Sequence, residues 1–238
     1  MSFLNLDHVP HKALRNEIIR TALRMNELGI NQGKAGNVSA RTTPSPAVAG
    51  EGRDGGFFIT PTGVPYEDTR PEQIVLMQMD GTHEGMVLPS SEWRFHRDIY
   101  TAIGESVNAI VHTHSLYATT LACMDRSIPP FHYMVAIAGG SDIPCAPYAT
   151  FGTQELSGHV VAALQHRKAC LMSHHGMIAC GESLQKALAL AVEVETLARM
   201  YWQALQIGEP ALLSEAEMQI VINKFQTYGQ QSLQPVSV

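Results

Sequence analysis

Residues 183–205, SLQKALALAVEVETLARMYWQAL, are apolar on nearly every helical face, yet Glu193, Glu195 and Arg199 stand among them. Charges at that density rule out a membrane span, so the stretch reads as a long helix buried centrally or turned toward another subunit. Such a helix needs protein on several sides, and 238 residues suffice to surround it within one large domain without disulfide staples. A 45% hydrophobic share against 16% charged residues fits an ordinary folded chain and argues against disorder and low complexity.

Periodicity places the other elements. In residues 11–28, Leu14, Ile18, Ala22, Met25 and Leu28 fall on one helix face, with Gly29 as a stop. NQGKAGNVSAR, with Gly33 and Gly36, reads as a turn, and the Pro, Gly and Ser content of residues 42–56 as a loop. Apolar runs at 57–60 and 74–79 predict two antiparallel strands, and further strands are expected at 107–114 and 169–174. Helices are expected over 153–164 and, from the capping box Ser214-Glu215-Ala216-Glu217, over 214–225. Pro89-Ser90-Ser91 precedes another helix, with a serine as its cap and Glu92 in its first turn. Without repeat or linker, residues 1–238 form one α/β domain in which short strands alternate with helices.

The formal charge of −6, with no basic run, disfavours nucleic acid and anionic membranes as partners and leaves a small ligand as the expectation. The first residues lack a secretory signal and no long apolar span follows, which predicts a cytoplasmic protein. Cys123, Cys145, Cys170 and Cys180 form no C-x-x-C pair and read as structural thiols.

Histidine carries the chemistry. His112 and His114 follow an apolar strand and, two apart, point to one face, so both imidazoles can reach one ion. Catalytic zinc takes three protein ligands, and the third donor lies in Ser173-His174-His175-Gly176, where adjacent residues face opposite ways and one histidine binds. Spacing alone does not choose between His174 and His175. Glu92 is the nearby carboxylate. It serves either as an exposed helix-start residue or, beside a metal, as fourth ligand and proton carrier. Asn37, Thr62, Gly63, Ser90 and Ser91 offer small polar groups and turn N–H donors suited to a phosphate. Tyr133 carries a phenolic proton whose bottom-up reading is a structural hydrogen bond. Gly33 to Gly36 fits no nucleotide-binding motif.

The series NQGKAGNVS, ITPTGVPYE, LPSSEWRFH, VHTHS, RSIP, HYM, GGSDIPCAPYATFGTQELS and SHHGMIAC resembles the class II aldolase/adducin family, most of all its sugar-phosphate aldolase branch typified by L-fuculose phosphate. The resemblance runs from residue 14 to 228. It implies a three-layer α/β/α domain with a mixed, largely antiparallel central sheet, and a cyclic homotetramer with sites at subunit contacts. It makes His112, His114 and His175 zinc ligands and Glu92 both the resting fourth ligand and the catalytic acid/base. It groups Asn37, Thr62, Gly63, Ser90 and Ser91 around the substrate phosphate. Tyr133 from a neighbouring subunit becomes the acid at the aldehyde oxygen, Phe151 part of the aldehyde pocket, and Tyr228, within a C-terminal segment 206–238 near the site, part of its cover. Two features depart from the family pattern: loop 42–56 is longer, and the tail 229–238 carries no basic residue. Both bear on the aldehyde partner.

The activity so implied is zinc-dependent, reversible cleavage of a ketose 1-phosphate, such as L-fuculose 1-phosphate, to dihydroxyacetone phosphate and an aldehyde such as L-lactaldehyde. The zinc stabilises enediolate charge without a Schiff-base lysine. Rival readings are a pentulose-phosphate 4-epimerase of the same fold and a non-catalytic, adducin-like scaffold.

Overall fold

A computed structural model of the chain describes residues 9–42, 55–85 and 87–225. In chain order the elements are α1 (Lys12–Glu27), β1 (Asn37–Arg41), β2 (Phe57–Ile59), β3 (Val75–Met77), α2 (Trp93–Ile103), β4 (Ala109–Thr113) and α3 (Leu116–Ala122). They continue as β5 (Cys145–Ala146), α4 (Gln154–Ala163), β6 (Ala169–Met172), β7 (Gly176–Gly181), α5 (Leu184–Ile207) and α6 (Glu215–Phe225). The strands form one sheet in the order β3-β2-β1-β4-β7-β6-β5, in which β5 and β6 run parallel and the other neighbours antiparallel. This is the mixed, largely antiparallel sheet that the family resemblance implies.

Strand alternation divides the core into two layers. Ala109 and Val111 of β4, Ala169 and Leu171 of β6, and Met177 and Ala179 of β7 join the apolar cluster of α1, α3 and α5. Their neighbours Ile110, Cys170, Met172, Ile178 and Cys180 join the cluster of α2 and α4 on the opposite face. Strands covered on both faces read as short apolar runs with no polar alternation. That is why the sequence shows β4 and β6 well, hides β1 and β5, and merges β7 into the turn after the histidine pair. Helix α3, only seven residues long, is likewise not marked by any periodic pattern.

Helix α5 is the buried helix that residues 183–205 predict, packed on β7, β4, α3 and α1. One of its charges is structural. The Glu195 carboxylate accepts from the backbone N–H groups of Tyr117 and Ala118, each at 2.8 Å, closing the start of α3. The predicted cap forms at Ser214 (from Glu217 N–H, 3.2 Å), and the start of α4 is capped by Thr153 (from Leu156 N–H, 3.2 Å). Helix α2 differs from expectation. It begins at Trp93 with Glu92 at its N-cap position and no side chain capping it, while the Ser90 hydroxyl accepts from the Glu92 N–H at 3.3 Å. Glu92 thus stands one residue before the helix, which frees its carboxylate from the first turn and turns it inward, 5% exposed.

Candidate active site

Four segments converge at one end of the sheet. Antiparallel register sets Asn37 beside His112 across β1 and β4, and His112 beside Ile178 across β4 and β7. His112 Nδ1 lies 2.9 Å from the Met177 carbonyl. A carbonyl only accepts, so Nδ1 carries the proton and Nε2 turns a lone pair inward. That Nε2 is 3.1 Å from His114 Nε2 and 3.2 Å from Glu92 Oε2, while His175 Nε2 is 3.0 Å from Glu92 Oε1. The three imidazole rings sit edge to face, with each pair of centroids 4.9 Å apart.

Turn geometry separates the adjacent histidines. The strand ends at Met172, and His174 occupies the left-handed region at φ 53°, in the tight turn to β7. Its ring is exposed and meets Tyr148, with centroids 6.0 Å apart, while His175 turns into the cluster. The selection of His175 that the resemblance implied agrees with this geometry, although the expected cause, strand alternation, is replaced by a turn. Gly176 makes room for the cluster: a Cβ there would meet the Thr113 carbonyl at 2.4 Å and His114 Cδ2 at 3.0 Å.

Glu92, His112, His114 and His175 bring their ligand atoms within 4.8 Å of one another. Zinc with ligands at about 2.1 Å in a tetrahedron needs ligand–ligand edges of about 3.4 Å, close to the separations above. The chemistry of the donors fits as well. Lone pairs and a carboxylate face one another, and Glu92 Oε1 is buried with no hydrogen-bond donor among the described residues, a donor set that suits a cation. Burial would push the Glu92 carboxyl up, but whenever the His112 and His175 imidazoles carry protons their charge and hydrogen bonds outweigh it and hold the group well below the usual carboxylate range, so Glu92 stays ionised. Burial, helped by His112 and His175, pushes His114 down to about 4, the neutral state a ligand requires.

Of the other predicted residues, Asn37 and Ser90 bond directly to Glu92. Asn37 is buried and donates from Nδ2 to Glu92 Oε2 at 2.8 Å. Two backbone segments run side by side, with Thr62 N–H donating to the Leu88 carbonyl and Ser90 N–H to the Thr60 carbonyl. They set exposed Thr62 and Gly63 alongside Ser90 and Ser91. Phe151, 64% exposed, stands in a turn tied to α2 by Arg94, which donates to the Gly152 carbonyl at 2.8 Å. Gly152, at φ 73°, brings this turn so close that a Cβ would lie 2.8 Å from the Ser91 carbonyl. Tyr133, 50% exposed, opens a 3-10 turn at Tyr133–Ala138. Tyr228 and the tail 229–238 lie outside the described residues, as does most of the 42–56 loop.

Two features escape a reading of the sequence alone. Lys34, in the glycine-bearing turn before β1, donates to the Gly63 carbonyl at 2.8 Å and so sets an ammonium at the predicted anion loops. Behind Asn37, the side chains of Ser39, His96 and Tyr100 form a buried polar column. A lone cation in a glycine turn is the available signal for the first; for the second it is the spacing of Asn37 from Ser39 and of His96 from Tyr100.

Comparison with known proteins places this geometry. The class II aldolase and adducin N-terminal domain family matches residues 16–202. A 5-methylthioribulose-1-phosphate/5-deoxyribulose-1-phosphate aldolase of Rhodospirillum rubrum is 51% identical, over 94% of this chain and 96% of that protein. An L-fuculose phosphate aldolase of Escherichia coli K12 is also 51% identical, over 91% and 95%. A solved L-fuculose 1-phosphate aldolase superposes with a TM-score of 0.83 at 34% identity, covering 92% of this chain and 99% of that one. The chain belongs to the class II aldolase and adducin family, among its metal-dependent aldolases.

Proposed function

We propose that this aldolase is a zinc enzyme that reversibly cleaves a ketose 1-phosphate, L-fuculose 1-phosphate or a related sugar, to dihydroxyacetone phosphate and an aldehyde. The observation that carries the reading is the buried cluster of Glu92 with His112, His114 and His175, whose imidazole and carboxylate donors suit zinc. The intact cluster also argues against a scaffold that has lost its chemistry. The relatives named above share a ketose 1-phosphate substrate and differ at the aldehyde end, so the phosphate half of the substrate is what they have in common.

When bound, the metal supplies Lewis-acid stabilisation of the charge that develops as the C3–C4 bond breaks. The chain's residues do the rest. Thr62, Gly63, Ser90 and Ser91 hold the phosphate, with Lys34 as a counter-charge and the second amide hydrogen of Asn37 still available to it. In synthesis, the Glu92 carboxylate takes a proton from C3 of the dihydroxyacetone phosphate fragment and Tyr133 gives its phenolic proton to the aldehyde oxygen as the C3–C4 bond forms; exchange with solvent then removes the proton from Glu92 and restores one to Tyr133, and cleavage runs every transfer in reverse. The motif likeness gives Tyr133, half-exposed in its own chain, to the site of a neighbouring subunit in a cyclic homotetramer. Phe151 shapes the aldehyde pocket, and the exposed Leu88, Leu116, Met124 and Tyr148 offer apolar surface for subunit contact. The C-terminal segment follows Tyr133: α6 packs on the Tyr133–Ala138 turn, and Leu213 N–H donates to the Pro130 carbonyl. Tyr228 beyond it helps cover the aldehyde. Free Cys123, Cys145, Cys170 and Cys180 suit the reducing cytoplasm.

A coupled assay for dihydroxyacetone phosphate tests this across the 1-phosphates of L-fuculose, L-rhamnulose, D-ribulose, 5-deoxyribulose and 5-methylthioribulose. Turnover of at least one, lost on chelation and restored by zinc, is expected. Absence of dihydroxyacetone phosphate from all five overturns the reading.

A further inference from the structure

Strand β1 and helix α2 meet through side chains that the metal does not touch. Asn37 and Ser39, two apart, face α2; His96 and Tyr100, four apart, face β1, so the strand and helix periods mesh. The Tyr100 hydroxyl is 2.7 Å from Ser39 Oγ, and Ser39 Oγ is 2.7 Å from His96 Nδ1. His96 Nε2 is 2.5 Å from Asn37 Oδ1, and Asn37 Nδ2 is 2.8 Å from Glu92 Oε2. Each of these five residues is at most 5% exposed.

The direction of every hydrogen bond follows from the carboxylate. An ionised Glu92 only accepts, so Asn37 presents its NH2 group there and turns Oδ1 toward His96. That carbonyl needs a donor, which puts the imidazole proton on Nε2. Nδ1 then carries a lone pair, the Ser39 hydroxyl donates into it, and the Tyr100 hydroxyl donates to Ser39. The reversed amide would set a carbonyl against a buried carboxylate, and the other tautomer would face two lone pairs. Burial, aided by His112, pushes His96 down to about 3, so the ring stays neutral, as this chain of bonds needs. Stacking on Phe95, centroids 4.7 Å apart at 26°, fixes the plane of the ring.

We propose that His96 is a positioning residue for the lyase reaction: its Nε2–H locks the Asn37 amide, and that amide holds Glu92 in the orientation from which its carboxylate moves a proton. Nothing in the metal cluster requires this histidine, since His96 reaches Glu92 through Asn37. The inference rests on the ketose 1-phosphate reading above and goes beyond it.

The test uses the zinc-loaded enzyme. His96→Phe keeps a planar ring and removes both hydrogen bonds. It is expected to lower kcat about 10- to 100-fold, the usual cost of losing an outer-shell partner, with KM and zinc stoichiometry close to wild type. His96→Gln restores a donor near the Nε2 position and is expected to recover most of that loss. A readout independent of turnover comes from 15N spectra of imidazole-labelled enzyme, with His96 assigned by its absence in His96→Gln. The expected state is neutral, protonated at Nε2, and Ser39→Ala should move it toward mixed tautomers while lowering kcat several-fold. If His96→Phe does not fold, the tautomer and Ser39→Ala decide alone. An Nδ1–H tautomer in the wild type, unchanged kcat in the variants, or His96→Gln no better than a folded His96→Phe overturns the inference. A wild-type enzyme that cleaves none of the ketose 1-phosphates instead overturns the functional reading, and this inference with it.

Discussion

Against α1, α3 and α5 the sheet presents Val38, Val111, Leu171 and Met177, enclosed by other apolar side chains, whereas against the start of α2 it presents Asn37, Ser39 and His112, all buried and all polar. The strands are the same on both faces; only the parity of the residue differs. Burying a polar group costs free energy unless each of its partners is in place. The α5 face therefore stabilises the fold chiefly through buried area, while the polar end of the α2 face holds its groups through directed bonds that also fix the geometry of the site. Apolar layers on both faces carry stability, the chemistry is gathered at one end of the α2 face, and variants can separate the two.

The sharpest break comes from the histidine pair. His175→Ala should lose the metal and with it all measurable cleavage, whereas His174→Ala, whose ring faces Tyr148, should keep zinc stoichiometry and turnover. Equal metal content in the two proteins would remove His175 from the centre. Next is Glu92→Gln, which keeps shape and an oxygen while losing the basic carboxylate. Cleavage should fall by roughly 10²- to 10⁴-fold, with melting temperature and metal content nearly unchanged; near wild-type turnover would return Glu92 to a structural role.

Leu197→Ala on α5 should do the reverse. Leu197 is fully buried in the α5 layer, so truncation should cost about 2–5 kcal/mol of stability and leave kcat per folded molecule alone. Denaturant unfolding beside specific activity decides it, and a large loss of kcat would mean that the two faces are not independent.

The smallest effect is a pH slope. The folded pKa of His96 is depressed to about 3, against about 6.5 in the unfolded chain. Between those values the unfolded state binds the proton and the folded state does not. The contribution of His96 is therefore present above about pH 6.5 and is lost as pH falls toward 3. Unfolding of metal-free protein from pH 7 to 4 should show stability declining with acid, and His96→Gln should flatten part of that decline. Identical slopes in the two proteins would contradict a neutral, buried imidazole.

How much of this is legible in the sequence depends on how far apart the interacting residues lie. Helix α5, the cap at Ser214, and the same-face pair His112 and His114 are readable because each is written in a few neighbouring residues. The inward turn of Glu92 is not, because Ser90 binds the Glu92 N–H and so sets the residue just outside the helix. The motif likeness supplied the full ligand set, Tyr133 and Phe151, and spacing could not have done so.

By itself, then, the sequence determined the longer helices, the apolar strands β2, β3, β4 and β6, and which histidines share a strand face. Tertiary structure supplied the physical reason that His175 rather than His174 meets His112, a left-handed turn at His174 that periodicity could not show. It decided that Asn37 stands beside His112, through antiparallel register between strands 72 residues apart in their starting positions, 37 and 109. It also decided that Ser39, His96 and Tyr100 stand in line behind Glu92. Local periodicity sets which face a side chain occupies; only the pairing of distant strands and the packing of α2 on β1 set what that face meets.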